Sequence, residues 1–246
     1  MSQMITLAAG EDRVDAYVAD VPERVRGGIV LIHEVWGLVD HIKDVADRLA
    51  AEGYLVIAPD ILSKAGVPPT TGLDLFRYAS SADPETRSKV QPQLREMFTL
   101  PRNPEYSAWA VGALKSAVDW LEQQPGIEGR VGVVGFCFGG NFSFALAARD
   151  SRITAAVPYY GFRPPVEAIP GISCPVLALY GDQDTMLVEG LDELRADMAA
   201  HGVDFEARVY PDSGHAFFND TNDFQYRADT AAAAWRDTLA FLAQHV

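Results

Sequence analysis

The 246-residue sequence is poor in cysteine, in positive charge and in long apolar runs, and each shortage excludes something. Its two cysteines, Cys137 and Cys174, cannot form the disulfide framework of a small secreted domain. No uninterrupted apolar stretch of about 18 residues is present, so no membrane span is expected. The opening residues, MSQMITLAAGEDR, have no basic stretch leading into an apolar one. A secretory signal is therefore not expected, and a cytoplasmic location is. Lys and Arg number 20 against 34 Asp and Glu, a net charge of −14. That balance speaks against a nucleic-acid partner and favours solubility, and it requires any anion site to be locally basic. Internal repeats and low-complexity tracts are lacking. So is a G-x-G-x-x-G turn, and HEVWG at 33–37 is not H-E-x-x-H, because Gly37 stands where the second histidine belongs. Neither a cofactor nor a metal is called for.

What the chain does have is alternation of strand and helix. RVDAYVAD at 13–20 alternates apolar and polar residues and reads as an edge strand. GGIVLIH, GYLVIAPD, RVGVVGF, ITAAVPYYG and PVLALYG are near-continuous apolar runs, the signature of strands covered on both faces. DFEARVY is a further strand. Helices are expected over 40–52, 83–98, 106–123, 139–150, 187–200 and 223–244, with a loop at Pro68-Pro69 and the TTG that follows. The pattern predicts one α/β domain over 1–246, a mostly parallel sheet with helices on both faces. Residues 61–103 are the expected lid over the carboxyl edge of the sheet, where such folds bind ligands.

The most informative stretch is VGVVGFCFGGNFSFALAA at 131–148. Gly135-Phe136-Cys137-Phe138-Gly139 lies between a strand and a helix, the pattern of the nucleophile elbow of the α/β-hydrolase fold. The turn forces the nucleophile into strained backbone, glycines on either side make room, and the helix N-terminus favours an anion there. Cys174 starts an apolar strand and reads as core filler.

In that fold an acid and then a histidine follow the nucleophile. PVLALYGDQD at 175–184 supplies Asp182 and Asp184, of which Asp184 is preferred because Gly-x-x-Asp carries it past the strand end. His215, after the last strand and behind Ser213-Gly214, is the histidine. His33, His41, His201 and His245 lack that placement. A thiolate at Cys137 would attack an ester or lactone carbonyl, His215 would carry the proton, and Asp184 would orient the imidazole. The oxyanion needs two backbone N–H groups, and Phe138 and Val35 are the candidates. Two other uses of this machinery stay open at this point. One is acyl transfer, cyclisation or C–X cleavage through the same thiol, and the other is ligand binding without catalysis.

HEVWG at 33–37, APD at 58–60, GFCFGG at 135–140, YYG at 159–161, GDQD at 181–184 and GHAF at 214–217, in that order, resemble the dienelactone hydrolase (carboxymethylenebutenolidase) family. The resemblance implies an α/β-hydrolase fold, a small ester or lactone as substrate, and a Cys137–Asp184–His215 triad. It also implies that Glu34 lies beside the resting thiol and helps deprotonate it when substrate binds. A carboxylate there repels a thiolate and opposes the helix dipole, keeping the site quiet without ligand. The family holds its anionic substrate with two arginines, and here the sequence departs. Asn219 stands where one arginine is expected and Ala216 where a serine is, while Arg95 is the match for the other arginine. A neutral ester or lactone is therefore expected, in a pocket lined by Trp36, Phe217, Phe218 and Tyr159 or Tyr160. An arginine restored at Asn219 is expected to favour the anionic substrate.

Overall fold

A computed structural model describes residues 1–21, 23–81 and 83–246. Its sheet comprises β1 (Gln3–Ala9), β2 (Asp12–Val18), β3 (Gly27–Ile32), β4 (Tyr54–Pro59), β5 (Val131–Phe136), β6 (Ile153–Tyr159), β7 (Val176–Gly181) and β8 (Phe205–Tyr210). The spatial order is β1-β2-β4-β3-β5-β6-β7-β8. From β4 to β8 the strands run parallel, while β1 and β2 are antiparallel to their neighbours. Every residue of β3, β4, β5 and β7 is buried, which is why those segments are continuously apolar in sequence.

One strand was not anticipated. β1 takes the sheet edge, so the segment read as an edge strand, β2, instead pairs on both sides, with β1 and β4. Ala9 pairs with Asp12 across a two-residue turn that uses Gly10 at φ 65°. Met4 and Ala8, on the exposed outward side of β1, are apolar, so the segment lacks the apolar-polar alternation that would announce a strand.

The helices are α1 (Asp40–Ala51), α2 (Pro69–Ala79), α3 (Pro84–Thr99), α4 (Pro104–Glu122), α5 (Phe138–Ala147), α6 (Thr185–Val188), α7 (Leu191–Ala200) and α8 (Ala228–His245). α1 and α8 cover one face, clasped where the Arg48 guanidinium lies over Phe218 and Trp235. α4 and α5 pack together on the other face. No helix of the described residues is long and apolar enough to cross a membrane.

Three helix boundaries differ from the sequence reading. Pro68-Pro69 does not mark a loop but the start of α2, since a proline at the first helical position needs no N–H partner and has its φ preset. Residues 187–200 divide at Gly190 into α6 and α7. The closing helix begins at Ala228 rather than at 223, because the backbone before it folds into turns, including a bond from Arg227 N–H to the Phe217 carbonyl. Helix α3 fits its expected span, with Asp83 accepting from the Glu85 and Thr86 N–H groups as N-cap. α2 and α3 pack on each other within 61–103 and reach the carboxyl edge of the sheet.

Candidate active site

The turn between β5 and α5 is as tight as the sequence implies. Cys137 sits at φ 54°, ψ −111°, a conformation costly for a non-glycine residue and held by its N–H bond to the Tyr159 carbonyl. The flanking glycines are required by contact. A Cβ on Gly135 would lie 2.2 Å from the Gly139 carbonyl oxygen, and one on Gly139 would lie 2.3 Å from that of Ile32. The second contact brings the end of β3, and the Glu34 loop after it, against the start of α5. Phe138 is the first residue of α5, so its N–H is among those with no partner inside the helix.

Three loops at the carboxyl edge converge on this turn. Asp184 follows β7 and His215 follows β8. His215 Nδ1–H donates to Asp184 Oδ2 at 2.6 Å, and His215 Nε2 lies 3.1 Å from Cys137 Sγ. Burial works against a charged ring at His215. The neighbouring Cys137 sulfur and the Asp184 carboxylate outweigh it and hold the imidazole well above its usual pKa. Asp182 is turned elsewhere and accepts from the Ser213 N–H, bracing the loop that carries His215.

Glu34 is 1% exposed. Tyr160 donates its hydroxyl to Oε1 at 3.2 Å, and Asn219 donates its side-chain amide to Oε2 at 2.6 Å. Burial, then the neighbouring Glu34 charge, push the Tyr160 hydroxyl well above its ordinary pKa, so it stays a donor. Behind this trio, Ile61 N–H donates to His33 Nε2 at 3.2 Å and His33 Nδ1 donates to the Glu34 carbonyl at 2.7 Å. Burial lowers the His33 pKa despite Asp60 at 3.9 Å, and a neutral ring with its hydrogen on Nδ1 satisfies both bonds.

A cavity of about 470 Å³ opens over Cys137 and His215. Glu34, Val35, Trp36 and Ala216 line it from the core side, and Phe224 and Gln225 from the loop before α8. The insertion contributes Ala79, Ser80, Ser81, Arg87 and Phe98. Tyr159 and Phe217 do not reach it. Tyr159 points to the opposite face and bonds the Thr238 hydroxyl at 2.6 Å and the Ala234 carbonyl at 3.2 Å, while Phe217 and Phe218 are fully packed in the core. Tyr160 backs the site through Glu34 and packs against His215, ring centroids 5.0 Å apart.

Residues 14–246 match the Dienelactone hydrolase family. The chain belongs to the dienelactone hydrolase family. It is 32% identical over 250 residues to a provisionally named carboxymethylenebutenolidase of Saccharolobus solfataricus, spanning 94% of this chain and 93% of the relative. A similarly named Escherichia coli protein is 28% identical over 228 residues, spanning 88% of this chain and 76% of the relative. Among solved structures, a provisionally named dienelactone hydrolase of Klebsiella pneumoniae superposes with a TM-score of 0.80 at 26% identity, over 100% of this chain and 99% of that one. Membership makes the chain an α/β-hydrolase-fold hydrolase of the ester- and lactone-cleaving kind.

The expectations drawn from the dienelactone hydrolase clamp need correcting. Arg95 is exposed on α3 and outside the cavity lining; the arginine in that wall is Arg87, which also donates to the Ser81 carbonyl at 2.7 Å. Eight residues of helix turn Arg95 about 80° and move it about 12 Å along the axis from Arg87, whereas Phe98 returns to within about 20° of Arg87. Asn219 is likewise outside the described cavity lining. It is buried, bonded to Glu34, and its Oδ1 accepts from the Thr221 N–H and hydroxyl. Ala216 does line the cavity, at φ 58°. Arg87 and Phe98 carried one signal in sequence, their spacing of eleven on a helix in the insertion; Ser80, Ser81, Phe224 and Gln225 carried none.

Proposed function

We propose that Cys137 is the nucleophile of this hydrolase and that it cleaves small esters or lactones through a thioester. The observation that carries the reading is the line Cys137–His215–Asp184, with 3.1 Å and 2.6 Å between successive polar atoms. The thiol proton passes to His215 Nε2, and Asp184 stabilises the imidazolium. The thiolate adds to the carbonyl carbon, and the oxyanion takes the N–H groups of Phe138 and Val35. Collapse breaks the C–O bond as His215 returns the proton to the departing oxygen. A simple ester releases an alcohol, while a lactone keeps its new hydroxyl on the acyl group. Water, giving its proton to His215, then attacks the thioester and expels the thiolate.

Glu34 stands in the cavity wall next to Val35, with both oxygens engaged by Tyr160 and Asn219. In this reading it is poised beside the thiol, and the Tyr160 and Asn219 bonds stabilise its charged form and oppose its taking a proton from Cys137. The walls supply Trp36, Phe98 and Phe224 for an apolar substrate body, and Arg87 for a single anionic group. Residues 61–103 act as the roof of the site in this proposal, closing over bound substrate.

A panel of short-chain esters and five- or six-membered lactones, dienelactone included, tests it. Wild type should turn over several, and Cys137→Ala should lose about a thousandfold or more in kcat/KM with its thermal melt unchanged. Retention of most activity by Cys137→Ala would overturn the assignment.

A further inference from the structure

A second cavity, of about 590 Å³, lies beside the first, and Phe98 is in the wall of both. That volume falls within the range of small-ligand pockets, roughly 300–1,000 Å³. Its inner surface is aromatic, with Phe142 buried and Phe162 half-buried against the core. Its rim carries Arg102, Arg149 and Arg163, and no Asp or Glu is among its described lining residues. In a chain with 34 acidic and 20 basic side chains, composition favours acidic linings, and this one is basic.

The three arginines are differently engaged. Arg163 is paired with Glu193 and Asp197, each at 2.6 Å. Arg149 donates to the neutral carbonyl of Ala145 at 3.3 Å. Neither Arg149 nor Arg102 is ion-paired with a carboxylate among the described residues. Two guanidiniums thus border an aromatic surface with no acidic partner. A guanidinium is charged at any physiological pH and matches a carboxylate with two parallel N–H donors.

We propose that this second cavity binds an amphipathic monocarboxylate, its apolar body on Phe98, Phe142 and Phe162 and its carboxylate on Arg102 and Arg149. A neutral apolar ligand leaves the arginines unused, and a small inorganic anion leaves the aromatic surface unused. The site lies outside the Cys137–His215–Asp184 line, so it does not depend on the catalytic reading. Its ligand is of the class that ester hydrolysis releases, and Phe98 puts it next to the chemistry.

The test is calorimetric titration of octanoate into protein whose Cys137 has been alkylated with iodoacetamide, which caps the thiol in the first cavity, so that the arginine variants locate the bound ligand. Octanoate should bind, with 1-octanol about tenfold or more weaker and with affinity falling as salt rises. Arg102→Gln/Arg149→Gln should weaken octanoate about fivefold or more and leave wild-type-thiol turnover of a short neutral ester within about twofold. Arg102→Gln alone gives a smaller loss of the same sign should the double variant prove unstable. Absence of octanoate binding overturns the proposal. So does equal affinity for octanoate and octanol, or equal affinity of wild type and the arginine variants. Binding that alkylation abolishes would place the ligand in the first cavity and equally refute it. Failure of ester turnover, by contrast, bears on the catalytic reading alone.

Discussion

Asn219 donates its side-chain amide to Glu34 Oε2 at 2.6 Å, and both side chains are 1% exposed. A buried carboxylate is costly unless hydrogen-bonded, so this contact holds in place the loop that ends β3 and carries Val35. Asn219→Leu removes the donor at similar volume and should destabilise the fold by about 1–3 kcal/mol in urea unfolding. Combined with Glu34→Gln, which removes the charge, the loss should be less than the sum of the two. Strict additivity would mean the contact is not energetically coupled.

The same contact changes what an arginine at this position would do. Asn219→Arg faces Glu34 rather than the cavity, so kcat/KM for an anionic lactone should not rise, and the thermal melt should fall. A rise of about tenfold for the anion alone would place the side chain in the substrate's path after all.

Arg87 is the arginine to test for substrate charge. Arg87→Gln should lower kcat/KM for dienelactone about tenfold, mostly through KM, with a smaller effect on a neutral lactone of similar size. Arg95→Gln should change neither. Equal losses for charged and neutral substrates in Arg87→Gln would assign it to holding Ser80 and Ser81 in place through its bond to the Ser81 carbonyl.

The two cysteines should separate cleanly by reactivity. Burial pushes the Cys174 thiol up to about 11, so it stays a thiol at neutral pH. Iodoacetamide at pH 7.5 should label Cys137 in the folded protein and both cysteines in urea, read by peptide mass spectrometry. Labelling of Cys174 first would contradict the environments described.

His33 has a lowered pKa in the fold, because burial disfavours its charged form. The unfolded chain takes up this proton near the ordinary histidine value of about 6.5, and the folded chain resists until lower pH. The associated stability is present above about pH 6.5 and is lost as pH falls through the folded value. His33→Gln should therefore show a shallower decline in thermal melt between pH 7 and pH 5 than wild type. Parallel declines would mean His33 is not the titrating group.

How much of this was legible in sequence follows from how local each determinant is. The elbow at Cys137 is made by neighbours in the chain, and the carboxyl ends of β7 and β8 carry Asp184 and His215 to it, so residue order alone pointed to all three. Tyr159 and Tyr160 were both candidates, yet adjacent residues leaving a strand point to opposite faces, and only Tyr160 reaches Glu34. Asn219 lies beyond Ala216 at φ 58°, in a run of turns with no periodicity, and nothing in the sequence tells that its amide points inward. Arg95 rests on the family resemblance alone, which does not say which arginine of α3 faces the cavity. Which side of α3 meets the cavity depends on how α2 and α3 lean together, a tertiary matter. β1 is hidden in sequence because its outward Met4 and Ala8 are apolar and mask its alternation.

The central claim is that the sulfur of Cys137 becomes acylated during turnover. Acid quenching during hydrolysis of p-nitrophenyl butyrate by His215→Ala, in which loss of the imidazole slows the attack of water on the thioester, followed by peptide mass spectrometry, reads this directly. The account predicts a butyryl group on the peptide that contains Cys137, absent when Cys137 has first been alkylated. An acyl group on another residue, or undiminished acylation of the alkylated protein, would contradict it.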